Sequence, residues 1–415
     1  MKVLIVNTLD IVGGAARAAY RLHQALLMQG VDSQMLVQSK ISDDFRVLAP
    51  ETTLKKYLSK LRPVLDSLPV RLYKHRSKTL FSTSYLPFSD MVERINTLNP
   101  DIVHLHWITS GMMRIEDVAR INAPIVWSLH DDWAITGGCH IKWDCERFKA
   151  QCGLCPRLGS NRENDLSRKV FNRKKETYSK IRDLTVIGLS RWMVSCVNES
   201  SLFSNRNVLN IPNPIDVSTF SPFSKNDARK LFNLPSGKKL VLFGANSATS
   251  DINKGFSELS VALESVDAEN TELIIFGSSE PQIAQGFKQK VHYLGHLYDD
   301  VSLRIIYNAA DVMVVPSLQE SFGQTAVESM ACGTPVVAFG ATGLLDIVDH
   351  LENGYLATPY DTSDLARGIE IMLNADNYAE LCQNARDKIL REFDSSIVAD
   401  KFIELYEKLI INPVL

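Results

Sequence analysis

Two glutamates and a lysine are the residues of this chain best suited to chemistry. Glu320 and Glu328 stand eight residues apart in Pro316-Ser317-Leu318-Gln319-Glu320-Ser321-Phe322-Gly323-Gln324-Thr325-Ala326-Val327-Glu328, and Lys254 sits in Asn253-Lys254-Gly255. A carboxylate accepts two hydroxyl hydrogen bonds, so each Glu suits one ring of a polyhydroxylated ligand, a sugar or a ribose. Taken singly, either Glu reads better as a solvated side chain. Their shared setting is what points to a ligand.

That setting is a strand, a loop and a helix. Asp311 to Val315 predicts a buried parallel strand, and Gln324 to Cys332 has helical spacing ended by Gly333. Glu320 is then on the loop and Glu328 within the helix. In open parallel sheets ligands gather beyond the carboxyl ends of strands, where helix N-termini aim unpaired N–H groups at phosphate oxygens.

Apolar runs at Val3 to Val6, Ile102 to Leu105, Ile125 to Leu129 and Val186 to Leu189 alternate with amphipathic stretches, as βα units would. A second series follows at Leu240 to Phe243, Leu273 to Phe276, Val312 to Val315 and Val336 to Phe339. Two doubly wound sheets are expected, joined at the proline-rich Ile211 to Asp216. The expected domains are 1–208 and 209–395.

The 415 residues suit two domains, with 45% hydrophobic and 22% charged content. A net charge of -3 offers no general attraction to nucleic acid. Val3 to Val6 is too short for a signal-peptide core, and no run reaches the length of a membrane span, so a cytoplasmic chain with reduced thiols is expected.

Glu320 and Glu328 with Ser321-Phe322-Gly323 and Ala331-Cys332-Gly333-Thr334-Pro335-Val336-Val337, together with Asn253-Lys254-Gly255, Ile211-Pro212-Asn213-Pro214-Ile215-Asp216 and Gly13-Gly14, resemble glycosyltransferase family 4. Within it the chain looks most like exopolysaccharide transferases of the colanic acid and amylovoran type. The resemblance implies an α/β GT-B fold, two Rossmann-like domains facing a central cleft, with residues 396–415 packing back on the first. It implies retaining transfer of a sugar from a nucleotide diphosphate to an acceptor hydroxyl, by front-face attack and without a catalytic metal; the acceptor expected here is a lipid-linked glycan.

By the same resemblance Glu320 contacts the donor sugar, helped by backbone amides of Ser321, Phe322 and Gly323, while Glu328 holds the ribose and Lys254 neutralises the diphosphate. Gly244 and Asn213 fall on the donor side. Gly13 and Gly14 approach the diphosphate and acceptor; Arg17 either adds charge on the acceptor side or is a solvated helix residue. His130, at the end of Ile125 to Leu129, is assigned to the donor sugar; a structural histidine is the alternative. Asp131 and Asp132 beside it are not read as a metal pair. One departure stands out: the family's arginine after Gly244 is replaced by Ala245 and Asn246. A nucleotide-sugar-binding protein without turnover is therefore a rival reading. A GT-B epimerase is another, which the Glu pair argues against.

Two segments need separate readings. Cys139, Cys145, Cys152 and Cys155 place four of the seven cysteines within seventeen residues. Cys-x-x-Cys has zinc-ligand spacing, so a structural zinc is expected, with a reactive or disulfide-forming cluster as the rival. From Lys55 to Lys78, basic residues Lys56, Lys60, Arg62, Arg71, Lys74 and Arg76 are interleaved with leucines and valines. That pattern suits an anionic membrane face, or else a solvated helix with an apolar underside.

Overall fold

The computed structural model describes residues 1–50, 52–245, 247–279 and 286–411. It divides into two compact units, Met1–Pro212 with residues from Ala399 onward, and Asn213–Val398.

The first unit is built on a parallel sheet of seven strands: β1 (Lys2–Leu9), β2 (Asp32–Ser39), β3 (Val47–Leu48), β4 (Ile102–Leu105), β5 (Ile125–Leu129), β6 (Leu184–Gly188) and β7 (Asn207–Asn210). Their order is β3-β2-β1-β4-β5-β6-β7. The central strands are buried on both faces, which is why they read as continuous apolar runs. Leu4, Val6, Val103, Leu105, Trp127, Leu129, Phe171 and Tyr178 share one core. A fully buried side chain of this kind contributes about 1.5 to 3 kcal/mol.

The second unit has six parallel strands: β8 (Lys239–Gly244), β9 (Thr271–Phe276), β10 (Val291–Tyr293), β11 (Val312–Val315), β12 (Val336–Phe339) and β13 (Gly354–Ala357), ordered β10-β9-β8-β11-β12-β13. Val241, Phe243, Ile275, Val312, Val314, Val337 and Phe339 fill its core. Within this unit Ile215 and Asp394 form a parallel bridge, closed by Ile215 N–H to Phe393 O at 3.0 Å and Ser395 N–H to Ile215 O at 2.9 Å.

Each order reverses direction once, between β1 and β4 and between β8 and β11. Such switch points open a crevice at the carboxyl ends of the strands. The loop that leaves β1 carries Gly13, that after β8 carries Lys254, and that after β11 carries Glu320, Ser321, Phe322 and Gly323, while His130 and the cysteine segment follow β5.

The helix Thr53–Arg71 departs from ordinary packing. Its inner side is mainly polar up to Val70, which packs with Phe81 and Leu158: Arg62 donates to Leu86 O and Pro87 O at 3.1 Å, Asp66 Oδ1 accepts from Thr83 Oγ1 at 3.2 Å, and Ser59 is buried. Leu54, Tyr57, Leu58, Leu61, Val64, Leu65 and Leu68, at helical spacing, are all exposed, Leu54 by 70%. The alternative of an apolar underside is therefore overturned, because the buried polar groups are the ones that find partners. Among the described residues no helix is long and apolar enough to cross a membrane.

Candidate functional site

In the second unit, the turn after β8 and the loop after β11 are stitched together at the switch point. Leu318 N–H donates to Asn253 O at 2.9 Å, and Asn253 Nδ2 to Gln319 O at 2.7 Å. Gly255 closes the turn at φ 71°, where a Cβ would lie 1.8 Å from Pro316 O, so no other residue fits. This stitching brings Lys254 to Glu320: Nζ donates to Oε1 at 2.6 Å, with the two side chains 23% and 18% exposed. Burial pushes the Lys254 ammonium down, but Glu320's charge and hydrogen bond outweigh it and hold the group above its ordinary value. Ser317 Oγ donates to the same carboxylate oxygen at 3.0 Å. The Glu320 backbone is pinned by its N–H to Thr342 Oγ1 at 3.0 Å and by Gly343 N–H to its carbonyl at 2.8 Å.

The helix Gln324–Ala331 follows directly. Gly323 stands at its N-cap with φ 116° and no side-chain cap, so the first-turn amides lack a capping side chain. Glu328 points inward, only 4% exposed, and its Oε2 accepts from Tyr307 Oη at 2.7 Å. The solvated alternative for Glu328 is thereby excluded. Phe322 is buried against Phe393, leaving its backbone as the polar part that can meet a ligand. Gly244 has a packing reason to lack a side chain, since a Cβ there would lie 2.1 Å from the Phe276 ring. Asn213 is buried. Asn246, which takes the place of the family arginine's neighbourhood, lies outside the described residues.

In the first unit, Gly13 caps the helix Gly14–Met28 at φ 92°, and a Cβ on either Gly13 or Gly14 would meet nothing within 4 Å. Arg17 is half-buried on the first turn of that helix. His130 ends β5 beside a cavity lined also by His106, Trp107, Thr109, Trp127 and Trp133. His130 Nε2 and His106 Nδ1 share a hydrogen bond of 2.8 Å. Burial pushes His130 down to about 4, against the pull of Asp131.

Asp131 and Asp132 serve the loop itself. Asp131 Oδ2 accepts from Trp107 Nε1 at 2.7 Å and pairs with His140 Nδ1 at 2.6 Å. Asp132 Oδ2 accepts from Lys142 N–H at 2.7 Å. His140 and Lys142 belong to the cysteine segment, so that segment braces the His130 loop. Cys139, Cys145, Cys152 and Cys155 are free thiols lining one small cavity. Gly137 N–H donates to Cys152 Sγ at 3.1 Å. Among the described residues no group of three or more His, Cys, Asp or Glu side chains stands in an arrangement that could hold a metal ion.

Sequence reasoning did not single out His104, His106, Tyr307 or Thr342. His104 and His106 were findable as histidines two apart at the end of a strand, hence on one face of the sheet. Tyr307 and Thr342 carried no local signal, since their partners lie 21 and 22 residues away.

Residues 12–219 match the profile of glycosyltransferase family 4, and residues 224–388 that of glycosyl transferases group 1. An uncharacterized glycosyltransferase of Methanocaldococcus jannaschii, MJ1607, is 25% identical over 341 residues, covering 76% of this chain and 86% of its own. WcaC of Escherichia coli, described as a putative colanic acid biosynthesis glycosyl transferase, is 24% identical over 360 residues, covering 81% and 83%. Among solved structures, HepE of Anabaena in complex with UDP and glucose superposes with a TM-score of 0.67 at 17% identity, over 99% of this chain and 100% of that one.

Proposed function

Because the chain belongs to glycosyltransferase family 4 and is a glycosyltransferase of the GT-B fold, we propose that it takes its sugar from a nucleotide diphosphate and retains the anomeric configuration. The observation that carries this reading is the Lys254–Glu320 pair at the switch point of the second unit, next to a helix start without a side-chain cap. The lysine offers charge to a departing diphosphate and the helix start offers amides to its oxygens. Glu320 then orients the sugar and Glu328 the ribose. HepE, with its UDP and glucose, supports a nucleotide-sugar donor.

In this reading the chemical demand is stabilisation of the leaving diphosphate as the glycosidic bond breaks and the acceptor oxygen bonds to the anomeric carbon. The acceptor's proton passes to the departing phosphate oxygen. His130, with the Gly13-Gly14 loop and Arg17, serves the sugar and acceptor side of the reaction. The test is a thermal-shift screen across UDP-, GDP- and ADP-sugars, followed by transfer assays on Lys254→Ala and Glu320→Gln. Stabilisation by one donor class and a rate loss of about 100-fold or more in each variant are expected. Full transfer by either variant would remove the assignment.

The acceptor in this proposal is a lipid-linked glycan of surface polysaccharide assembly, a role supported by the likeness to WcaC. The helix Thr53–Arg71 is its membrane contact: an outward row of apolar side chains flanked by Lys55, Lys56, Lys60, Arg71, Lys74 and Arg76 matches an anionic bilayer at the cytoplasmic face.

The cysteine segment is proposed to hold a structural zinc. Four thiols on one cavity and the hydrogen bond from Gly137 N–H to Cys152 Sγ support this; the four do not stand in a metal-holding arrangement among the described residues, so the segment has to close on the ion. Elemental analysis of reduced protein should find one zinc per chain, lost in the Cys152→Ser, Cys155→Ser double variant. Metal-free wild-type protein would end the proposal.

A further inference from the structure

His104, within β4, and His106, just after it, have different surroundings. His104 is fully buried and saturated, with Nδ1 bonded to Tyr406 Oη at 2.6 Å and Nε2 to Ser128 Oγ at 2.8 Å. It is a core histidine. His106, two residues on, is 4% exposed and only half satisfied: Nδ1 meets His130 Nε2 at 2.8 Å, while Nε2 is buried with no partner among the described residues. The backbone of His106 is held on both sides, its N–H donating to Val6 O at 3.0 Å and its carbonyl accepting from Trp127 Nε1 at 3.1 Å. The His106 and His130 rings are inclined by 29°, with centroids 5.1 Å apart.

From this geometry we infer that His106 is a positioning residue that fixes the ring rotation and tautomer of His130, so that His130 presents Nδ1–H as a hydrogen-bond donor toward its ligand. The argument is one of proton accounting. Two neutral imidazoles share one hydrogen bond, and one of them must donate. Were His130 the donor, His106 would carry its own proton on Nε2, leaving a buried N–H without a protein acceptor, and orphaned buried donors are rare and costly. With His106 donating from Nδ1, its Nε2 is a bare ring nitrogen, and His130 Nε2 is the acceptor. The His130 proton then sits on Nδ1. In that state His130 donates to a hydroxyl or ring oxygen of a sugar and does not act as a base through Nε2. This inference rests on the proposed sugar-side role of His130, and it adds what that role consists of.

Ring nitrogen chemical shifts of selectively labelled full-length protein test the tautomer without any substrate. His130 is expected to read as protonated at Nδ1 and bare at Nε2. His106→Asn keeps an N–H close to the original Nδ1 position and should preserve that reading, whereas His106→Phe should release it toward the mixture of an unconstrained histidine. In transfer assays His106→Phe should lose about tenfold or more in kcat, because a misplaced donor is costly to a positioned reaction, and His106→Asn should recover most of it. Thermal unfolding of both variants separates this from a folding defect. A wild-type His130 protonated at Nε2, or equal rates in the two stably folded variants, would overturn the inference. If the shifts are as expected but His130→Ala transfers sugar normally, the tautomer stands and the proposed role of His130 falls.

Discussion

Glu320 and Glu328 are the same side chain given opposite tasks by their partners. Glu320 is partly exposed and tied to a cation, whereas Glu328 is buried and hydrogen-bonded to Tyr307. A buried carboxylate is tolerated only when its oxygens find donors. Tyr307→Phe removes one such donor at constant shape. The variant should lose about 1.5 to 3 kcal/mol of stability, read as a lower urea midpoint at unchanged slope, and should raise KM for the donor more than it lowers kcat. The last outcome follows if Glu328 holds ribose, since binding there is uniform between ground and transition states.

At the scale of elements, the helix Thr53–Arg71 inverts the usual rule that an amphipathic helix hides its apolar stripe. Arg62, Asp66 and Ser59 turn inward to backbone and side-chain partners, and the leucines are left outside. Replacing Leu58, Leu61 and Leu65 together by serine should leave thermal stability nearly unchanged, because these side chains are exposed in the free protein. The same variant should lose binding to vesicles containing anionic lipid. Unchanged vesicle binding would sink the membrane reading, and a loss of self-association in its place would point to a second copy as the true occupant. Each neighbouring lysine or arginine adds about 1 kcal/mol at such a surface, so binding should also weaken with salt.

At the scale of the molecule, acid should strike the first unit. Burial pushes His23 down to about 4, His104 to about 3 and His130 to about 4, and His106 also well below its ordinary value. These groups stay neutral in the fold and take up protons in the unfolded chain once pH falls below about 6.5, so the unfolded state binds more protons. Stability is therefore whole above that value and declines as pH falls toward 4. The slope for one fully buried histidine is at most about 1.4 kcal/mol per pH unit. All five tryptophans, Trp107, Trp127, Trp133, Trp143 and Trp192, lie in the first unit, so their fluorescence reports on it alone. The urea midpoint by fluorescence should be lower at pH 5 than at pH 7 by about 2 kcal/mol or more in free energy; equal midpoints would contradict the burial of these rings.

Among the described residues, eight of the thirteen strands are legible as apolar runs because they are buried on both faces, which leaves few polar residues, such as His104 and Ser128, to blur the pattern. The strands that escape, β2, β3, β7, β10 and β13, are polar in part, short or at sheet edges, where one side meets solvent. Glu320, Glu328 and Lys254 were legible too, since the loop and helix that carry them are local in sequence. Tertiary structure alone decided that Lys254 meets Glu320 across 66 residues, that Tyr307 holds Glu328, that His106 faces His130, and that the leucines of the helix Thr53–Arg71 face outward. The physical reason is the same in each case. Periodicity and residue type state what a side chain needs, a cation, a donor or an apolar surface, but only the folded chain determines which distant group supplies it.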